Sequence, residues 1–439
     1  MTKWIWKRPS SVVQSTLYQG AAARFIVLSW IFMAGFSAMM LAQNCSKTST
    51  GLKPLSELRT DLYFGYQGGL YPNGLNEGPA AHNAAGIELA QSIVPLNASG
   101  AVEQEAGSIV LLSIGMSNAT QEFSLFKSLA DQDPAKNTKL VIVDGAQGGQ
   151  TASIISNPSA NFWSVIDQRL TAADVTREQV QVAWVKEANA NPTQSFPQHA
   201  VMLQGHLESI ARILKARYPN IKLAYWSSRT YGGYATTTLN PEPYAYESGF
   251  AVKWLIAKQI ENDTSLVFQG SNARAPWLAW GPYLWADGTV PRSDGFSWDC
   301  ADFQSDGTHP STSGRQKVAN ALLSFFKTNP TTTAWFLKPA LVSIAQLDYA
   351  LPESFVLNQN FPNPFNPSTT ITYQIPHDGS VSLRVFNVLG KEVALLVEGT
   401  HQAGEHRVRF DASALTSGAY FYRLRLGNLV LQKTMIILK

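Results

Sequence analysis

From residue 108 to about residue 328 the chain alternates short β-branched apolar runs with longer segments of helical periodicity, and this alternation admits few folds. Strand followed by helix, repeated, builds a parallel sheet, because each crossover is right-handed and lays its helix on a face of the sheet. The apolar runs at 108–113, 140–144, 180–185, 221–226 and 277–280 predict strands, and the segments 121–129, 162–170, 198–217, 249–261 and 311–326 predict the helices between and after them. The expected class is α/β: a three-layer α/β/α domain over 108–335 on a five-stranded parallel sheet, with the fourth and fifth strands least constrained in order. Residues 43–107, rich in Gly, Asn and Tyr, predict an irregular lead-in packed on that domain.

Past Thr331-Thr332-Thr333 the helical pattern stops. Beyond an expected linker at 336–352, about six short alternating strands separated by Gly, Asn and Pro turns run over 353–439, which predicts a small all-β, immunoglobulin-like sandwich. At the other end, residues 26–42 form an uncharged apolar run behind a basic segment, the pattern of a signal peptide cleaved near Ala42, with an uncleaved anchor as the alternative. Gln43 and Asn44 before Cys45 do not make a lipid-attachment site. Removing Lys3, Lys7, Arg8 and Arg24 with that segment leaves 30 of the 34 basic residues against 31 acids, so no basic excess points to nucleic acid. Cys45 and Cys300 are the only cysteines, and in an exported chain they are free to pair or to stand as two thiols.

Two segments carry possible chemistry. Gly115-Met116-Ser117-Asn118 stands between the first strand and a helix, where a parallel sheet presents side chains to ligands and a helix N-terminus offers free N–H groups to a developing negative charge. Asp306-Gly307-Thr308-His309-Pro310 puts a carboxylate three residues before a histidine, so one turn can orient an imidazole toward a hydroxyl. A capping serine and a solvated Asp-Gly turn are the plainer readings of each segment alone.

Together, in this order, the two segments resemble the SGNH (GDSL-like) hydrolases over roughly 106–328. That resemblance implies Ser117, His309 and Asp306 as catalytic residues and an oxyanion hole from the Ser117 N–H, Gly149 in the second block and Asn189 in the third. It also places Asn118, Glu187 and Trp285 at the substrate and requires no metal or other cofactor. Met116 stands where the family has aspartate, and Lys186-Glu187-Ala188-Asn189 replaces its Gly-x-Asn-Asp. Gly-x-Ser-Asn is similar to the Gly-Gln-Ser-Asn of sialate and xylan O-acetylesterases, which implies acetylated carbohydrate as the ester substrate. Gly115-Met116-Ser117-Asn118-Ala119 also approaches the nucleophile elbow of α/β-hydrolases, but that fold has several strands before the elbow.

The other histidines, His82, His199, His206, His377, His401 and His406, lack metal-ligand spacing, and Asp294, Asp299 and Asp302 read as a solvated loop. Tyr231, Tyr234, Trp277, Trp280, Tyr283, Trp285 and Trp298 are divided between core packing and sugar stacking. Finally, Asn360-Phe361-Pro362-Asn363-Pro364-Phe365-Asn366-Pro367, together with the lysine-bearing last strand, resembles a type IX secretion sorting domain. The resemblance implies a Gram-negative source, export to the surface or medium and engagement of that secretion machinery. The expectation is a monomeric secreted carboxylic ester hydrolase, with a non-catalytic carbohydrate-binding protein or an acyltransferase as the rivals.

Overall fold

The computed structural model describes residues 43–338 and 355–439, apart from 389 and 428. The expected signal peptide and most of the expected linker lie outside the described residues. The chain divides into two compact units, Met1–Leu337 and Lys338–Lys439. Phe336, expected to open the linker, is instead fully buried in the first unit.

In the first unit β1 (Ile109–Gly115), β2 (Leu140–Asp144), β3 (Val180–Lys186), β4 (Leu223–Trp226) and β5 (Trp277–Trp280) form one sheet in the order β2-β1-β3-β4-β5. Every pairing is parallel. Every residue of β1 and β3 is buried, as expected of central strands covered on both faces, whose sequences lose the polar alternation of a half-exposed strand. Around the sheet lie α1 (Ala80–Gln91), α2 (Ser117–Gln132), α3 (Asn161–Ala172), α4 (Gln198–Arg217), α5 (Tyr244–Ile260) and α6 (Thr312–Thr328). The chain leaves β1 toward β2 on one side and returns to β3 on the other, and such a switch point opens a crevice at the carboxyl ends of the strands.

The lead-in is more ordered than expected, because it contains α1. The buried stripe of α1 is His82, Gly86 and Ala90, and one polar ring with two small residues at this spacing produces no apolar signal. Gly86 is small because α1 lies against Trp277: a Cβ there would stand 2.4 Å from its indole ring. Further upstream the chain is clamped twice. Cys45 and Cys300 form a disulfide, and the Asp287 carboxylate accepts hydrogen bonds from the Thr50 and Gly51 N–H groups and from the Ser49 and Thr50 hydroxyls.

The second unit has β6 (Val356–Leu357), β7 (Ser368–Ile375), β8 (Gly379–Asn387), β9 (Glu392–His401), β10 (Gly404–Asp411), β11 (Gly418–Leu426) and β12 (Leu429–Ile437). They make two antiparallel sheets, β9-β8-β11-β12 and β10-β7-β6. Strict alternation puts Thr369, Ile371, Tyr373 and Ile375 of β7 inward. The proline-rich segment is anchored by its asparagines. Buried Asn360 donates to the Pro362 carbonyl and the Thr369 hydroxyl, and Asn363 accepts from the Ile436 N–H of the last strand.

Because the disulfide closes a loop of 255 residues, reduction or Cys300→Ser is expected to lower the stability of the first unit by about 3–5 kcal/mol. Urea denaturation with and without dithiothreitol measures this, and an unchanged midpoint would assign the clamp to Asp287 alone.

Candidate active site

β1 passes into α2 with only Met116 between them, so Ser117 is the first helical residue and its N–H has no intrahelical acceptor. The tight passage depends on Gly115, where a Cβ would meet Ala119 Cβ at 2.3 Å and the Lys186 carbonyl at 2.8 Å. The Asp306–His309 loop precedes α6 at the same end of the sheet. Ser117 Oγ donates to His309 Nε2 at 2.7 Å, and His309 Nδ1 donates to Asp306 Oδ2 at 2.5 Å. The other carboxylate oxygen, Oδ1, accepts the backbone N–H groups of Thr308 and His309, each at 3.0 Å. Partial burial by itself would raise the Asp306 carboxyl, but the His309 ring and these two N–H groups outweigh it and hold it below the ordinary carboxylate value. Gly307 has φ +62°, and a Cβ there would stand 1.9 Å from the Tyr234 carbonyl, so the loop admits no side chain at that position.

Ser117, Thr308 and His309 border a cavity of about 280 Å³ that also includes Asn118, Gly149, Arg229 and Asn240. Gly149 has φ +74° with open space on its Cβ side, and the preceding Gly148 stands beside the Ser117 side chain. Asn118 is buried, with Oδ1 held by the Ala119 N–H. Three expected site residues lie elsewhere. The Asn189 amide faces a second cavity of about 210 Å³, where its Oδ1 accepts from His206 Nδ1 at 2.9 Å; the two cavities share Ala190 and Asn240. Glu187 is buried and lines neither cavity; burial pushes its carboxyl well above the usual range, and the Ala188 N–H only partly offsets this. Trp285 is fully buried and donates through Nε1 to Glu242 at 2.8 Å. All seven aromatic residues considered for sugar stacking are in fact buried, so core packing accounts for them. Asp302, expected in a solvated loop, is buried against Lys317.

Arg229 and Asn240 are additions that the sequence motifs do not point to. Arg229 follows β4 by three residues, at the sheet edge where ligands bind, and that position is the available signal. Arg229 Nε donates to Asn240 Oδ1 at 3.2 Å, and its Nη1 is buried without a partner.

A buried ion pair and a buried carboxyl group support this edge of the sheet. Lys186, at the end of β3, donates to both Glu122 oxygens on α2, at 2.7 and 2.6 Å, and both side chains are essentially inaccessible. Glu242 accepts from the Gly232 and Tyr246 N–H groups and from Trp285, joining the segment after β4 to α5. Burial raises the Glu242 carboxyl from 4.5 to about 7.

Lys186→Met leaves Glu122 buried and unpaired and is expected to cost about 3–5 kcal/mol, whereas Lys186→Met combined with Glu122→Gln recovers most of it. Chemical denaturation of the three proteins tests this, and equal losses in the single and double variants would refute it. At Glu242 the native state keeps its proton between pH 4.5 and about 7 while the unfolded chain releases it. Stability therefore falls as pH rises through that window, by up to about 3 kcal/mol from this group. Glu242→Gln is expected to remove that part of the pH dependence, read from melts at pH 4.5 and 7.5.

Residues 359–438 match the family described as a secretion system C-terminal sorting domain, which marks the chain for type IX export to the cell surface or beyond. No curated protein sequence matches the chain. Solved structures with some likeness include a Bacillus subtilis protein, YxiM, at 10% identity and TM-score 0.30, covering 52% of this chain, which spans only 58% of that protein's length. A putative platelet activating factor from Streptococcus pneumoniae has 14% identity and TM-score 0.30, covering 56% of this chain and 91% of that one. An alpha/beta hydrolase from the metagenome of Lake Arreo has 15% identity and TM-score 0.30, covering 52% and 96%.

Proposed function

We propose that this exported protein is a serine esterase of the SGNH type, with Ser117, His309 and Asp306 as its triad, acting on short acyl esters and foremost on O-acetyl groups of carbohydrates. The observation that carries this reading is the continuous relay Ser117 Oγ–His309 Nε2 and His309 Nδ1–Asp306 Oδ2, at 2.7 and 2.5 Å, at the mouth of a cavity. In the first step His309 Nε2 takes the hydroxyl proton as Ser117 Oγ attacks the ester carbonyl, and Asp306 holds the imidazolium through Nδ1. The oxyanion receives the N–H groups of Ser117 and Gly149. His309 then returns the proton to the leaving alcohol and the acyl group remains on Ser117. In the second step water gives a proton to His309 and attacks the acyl-enzyme, and His309 returns that proton to Ser117 Oγ as the acid leaves.

Asn189 is left out of this reading, because its Oδ1 accepts from His206 and it borders the second cavity and not the one at Ser117. The second cavity, reached past Ala190 and Asn240, has Asn191, Thr193, Gln194 and Tyr244 on its walls, a polar lining suited to a sugar alcohol. The sorting domain supports delivery of the enzyme to polymers outside the cell.

Ser117→Ala is expected to reduce release of acetate from p-nitrophenyl acetate and acetylated polysaccharide by about 1000-fold or more, with unchanged thermal unfolding. A folded Ser117→Ala protein that retains the wild-type rate would sink the proposal, and glycan affinity without Ser117-dependent release would favour a non-catalytic binding protein.

A further inference from the structure

We infer that Arg229 is a carboxylate-binding residue of the Ser117 cavity, so that the favoured ester carries a carboxylate near its scissile bond. This deepens the esterase reading and rests on it for the word ester; the carboxylate site itself rests on the cavity.

Arg229 is 4% exposed and lines the same cavity as Ser117 and His309. Its single hydrogen bond among the described residues runs from Nε to Asn240 Oδ1; neither Nη nitrogen meets an acceptor, and Nη1 is fully buried. Folding a guanidinium into the interior with four of its five N–H groups unused is costly, and such a group in a native interior calls for a ligand. No carboxylate is hydrogen-bonded to it. The carboxylates close enough to act on it are Glu122, Glu187 and Glu242. Glu122 is taken by Lys186, and Glu242 by two backbone N–H groups and Trp285. Burial favours the neutral form of Glu187. None of the three lines the cavity, and neither aspartate nor glutamate is among its lining residues. An anion entering there meets one positive group and no negative one.

Sheet order separates this role from that of a third oxyanion donor. Ser117 follows β1, and Gly149 follows β2 on one side of it. Arg229 follows β4, two strands to the other side, roughly 10 Å across the sheet at about 4.8 Å per strand. The proposed oxyanion is a single oxygen beside the Ser117 and Gly149 N–H groups. Nη1 of Arg229 is closed off from the cavity, so a carboxylate reaches the guanidinium through Nη2, as a charge-assisted hydrogen bond, and the Asn240 contact fixes the plane of the group.

The carboxylate belongs either to the alcohol, as in an acetylated uronic acid, or to the acyl group, as in a hemisuccinate. The test compares pairs that differ in that group: O-acetyl glucuronate with O-acetyl glucose, and p-nitrophenyl hemisuccinate with p-nitrophenyl butyrate. In parallel, calorimetry follows binding of glucuronate, glucose, succinate and butyrate to full-length Ser117→Ala protein. The expected result is a preference of at least about 100-fold in kcat/KM for the charged member of one pair, matched by binding of the corresponding free carboxylate. Preference in the first pair places the charge on the alcohol and in the second on the acyl group. Arg229→Gln collapses that ratio, and Arg229→Lys, which keeps the charge but not the planar guanidinium held by Asn240, reduces it. Equal handling of both members of both pairs by the wild type overturns the proposal, whether or not Arg229→Gln folds, and so does an Arg229→Gln protein that slows both members alike and keeps their ratio. Carboxylate binding without any Ser117-dependent hydrolysis would instead overturn the esterase reading and leave the Arg229 site standing.

Discussion

The site depends on one steric constraint, the direct passage of β1 into α2. A strand buried on both faces can deliver a side chain to the carboxyl edge of the sheet only if the helix that follows starts at once. Gly115 makes this possible by letting the backbone approach both Ala119 and the Lys186 carbonyl more closely than any side chain would allow. Ser117 then occupies the helix N-terminus with its N–H unclaimed and its hydroxyl at the switch point of the sheet. The Lys186–Glu122 pair holds the same junction from behind, joining the end of β3 to α2. A charge pair buried so completely gains little over an apolar pair of the same shape, but losing one partner is expensive, so the junction is held in one arrangement.

The second half of the site is built locally. Asp306, Thr308 and His309 lie in one turn whose backbone N–H groups pair with the Asp306 carboxylate, so the group that orients the imidazole is itself fixed within four residues. Long-range order is needed only to set this turn opposite Ser117. Gly307 against the Tyr234 carbonyl supplies part of it, and the disulfide from Cys45 to Cys300 ties the region just before the turn to the start of the described chain.

Much of this is legible in sequence where the signal is local. The five strands are expected within two residues of their observed ends, since continuous apolar runs of that length between helical segments have few other fates in an α/β chain. Helix α1 escapes the pattern because its buried stripe is a histidine stacked on Trp277 and two small residues, none of which reads as apolar periodicity. The helix expected from residue 249 begins five residues earlier, at Tyr244 of α5, because its first turn carries Tyr, Ala and Glu whose burial depends on partners elsewhere in the chain.

The sequence by itself determined the α/β class, the all-β tail with its sorting motif, and the segments that hold Ser117, Asp306 and His309, because periodicity, turn chemistry and short motifs are properties of neighbouring residues. Tertiary structure alone decided which residues face the cavity. Asn189 and Ala190 are adjacent in the chain, yet the Asn189 side chain meets His206 on α4 while Ala190 lines the Ser117 cavity. Trp285 and Glu187 sink into the core, and Arg229 comes to the cavity wall from two strands away. The physical reason is the same in each case: the direction of a side chain is set by the groups that meet it from other elements, and those meetings exist only when the sheet has closed.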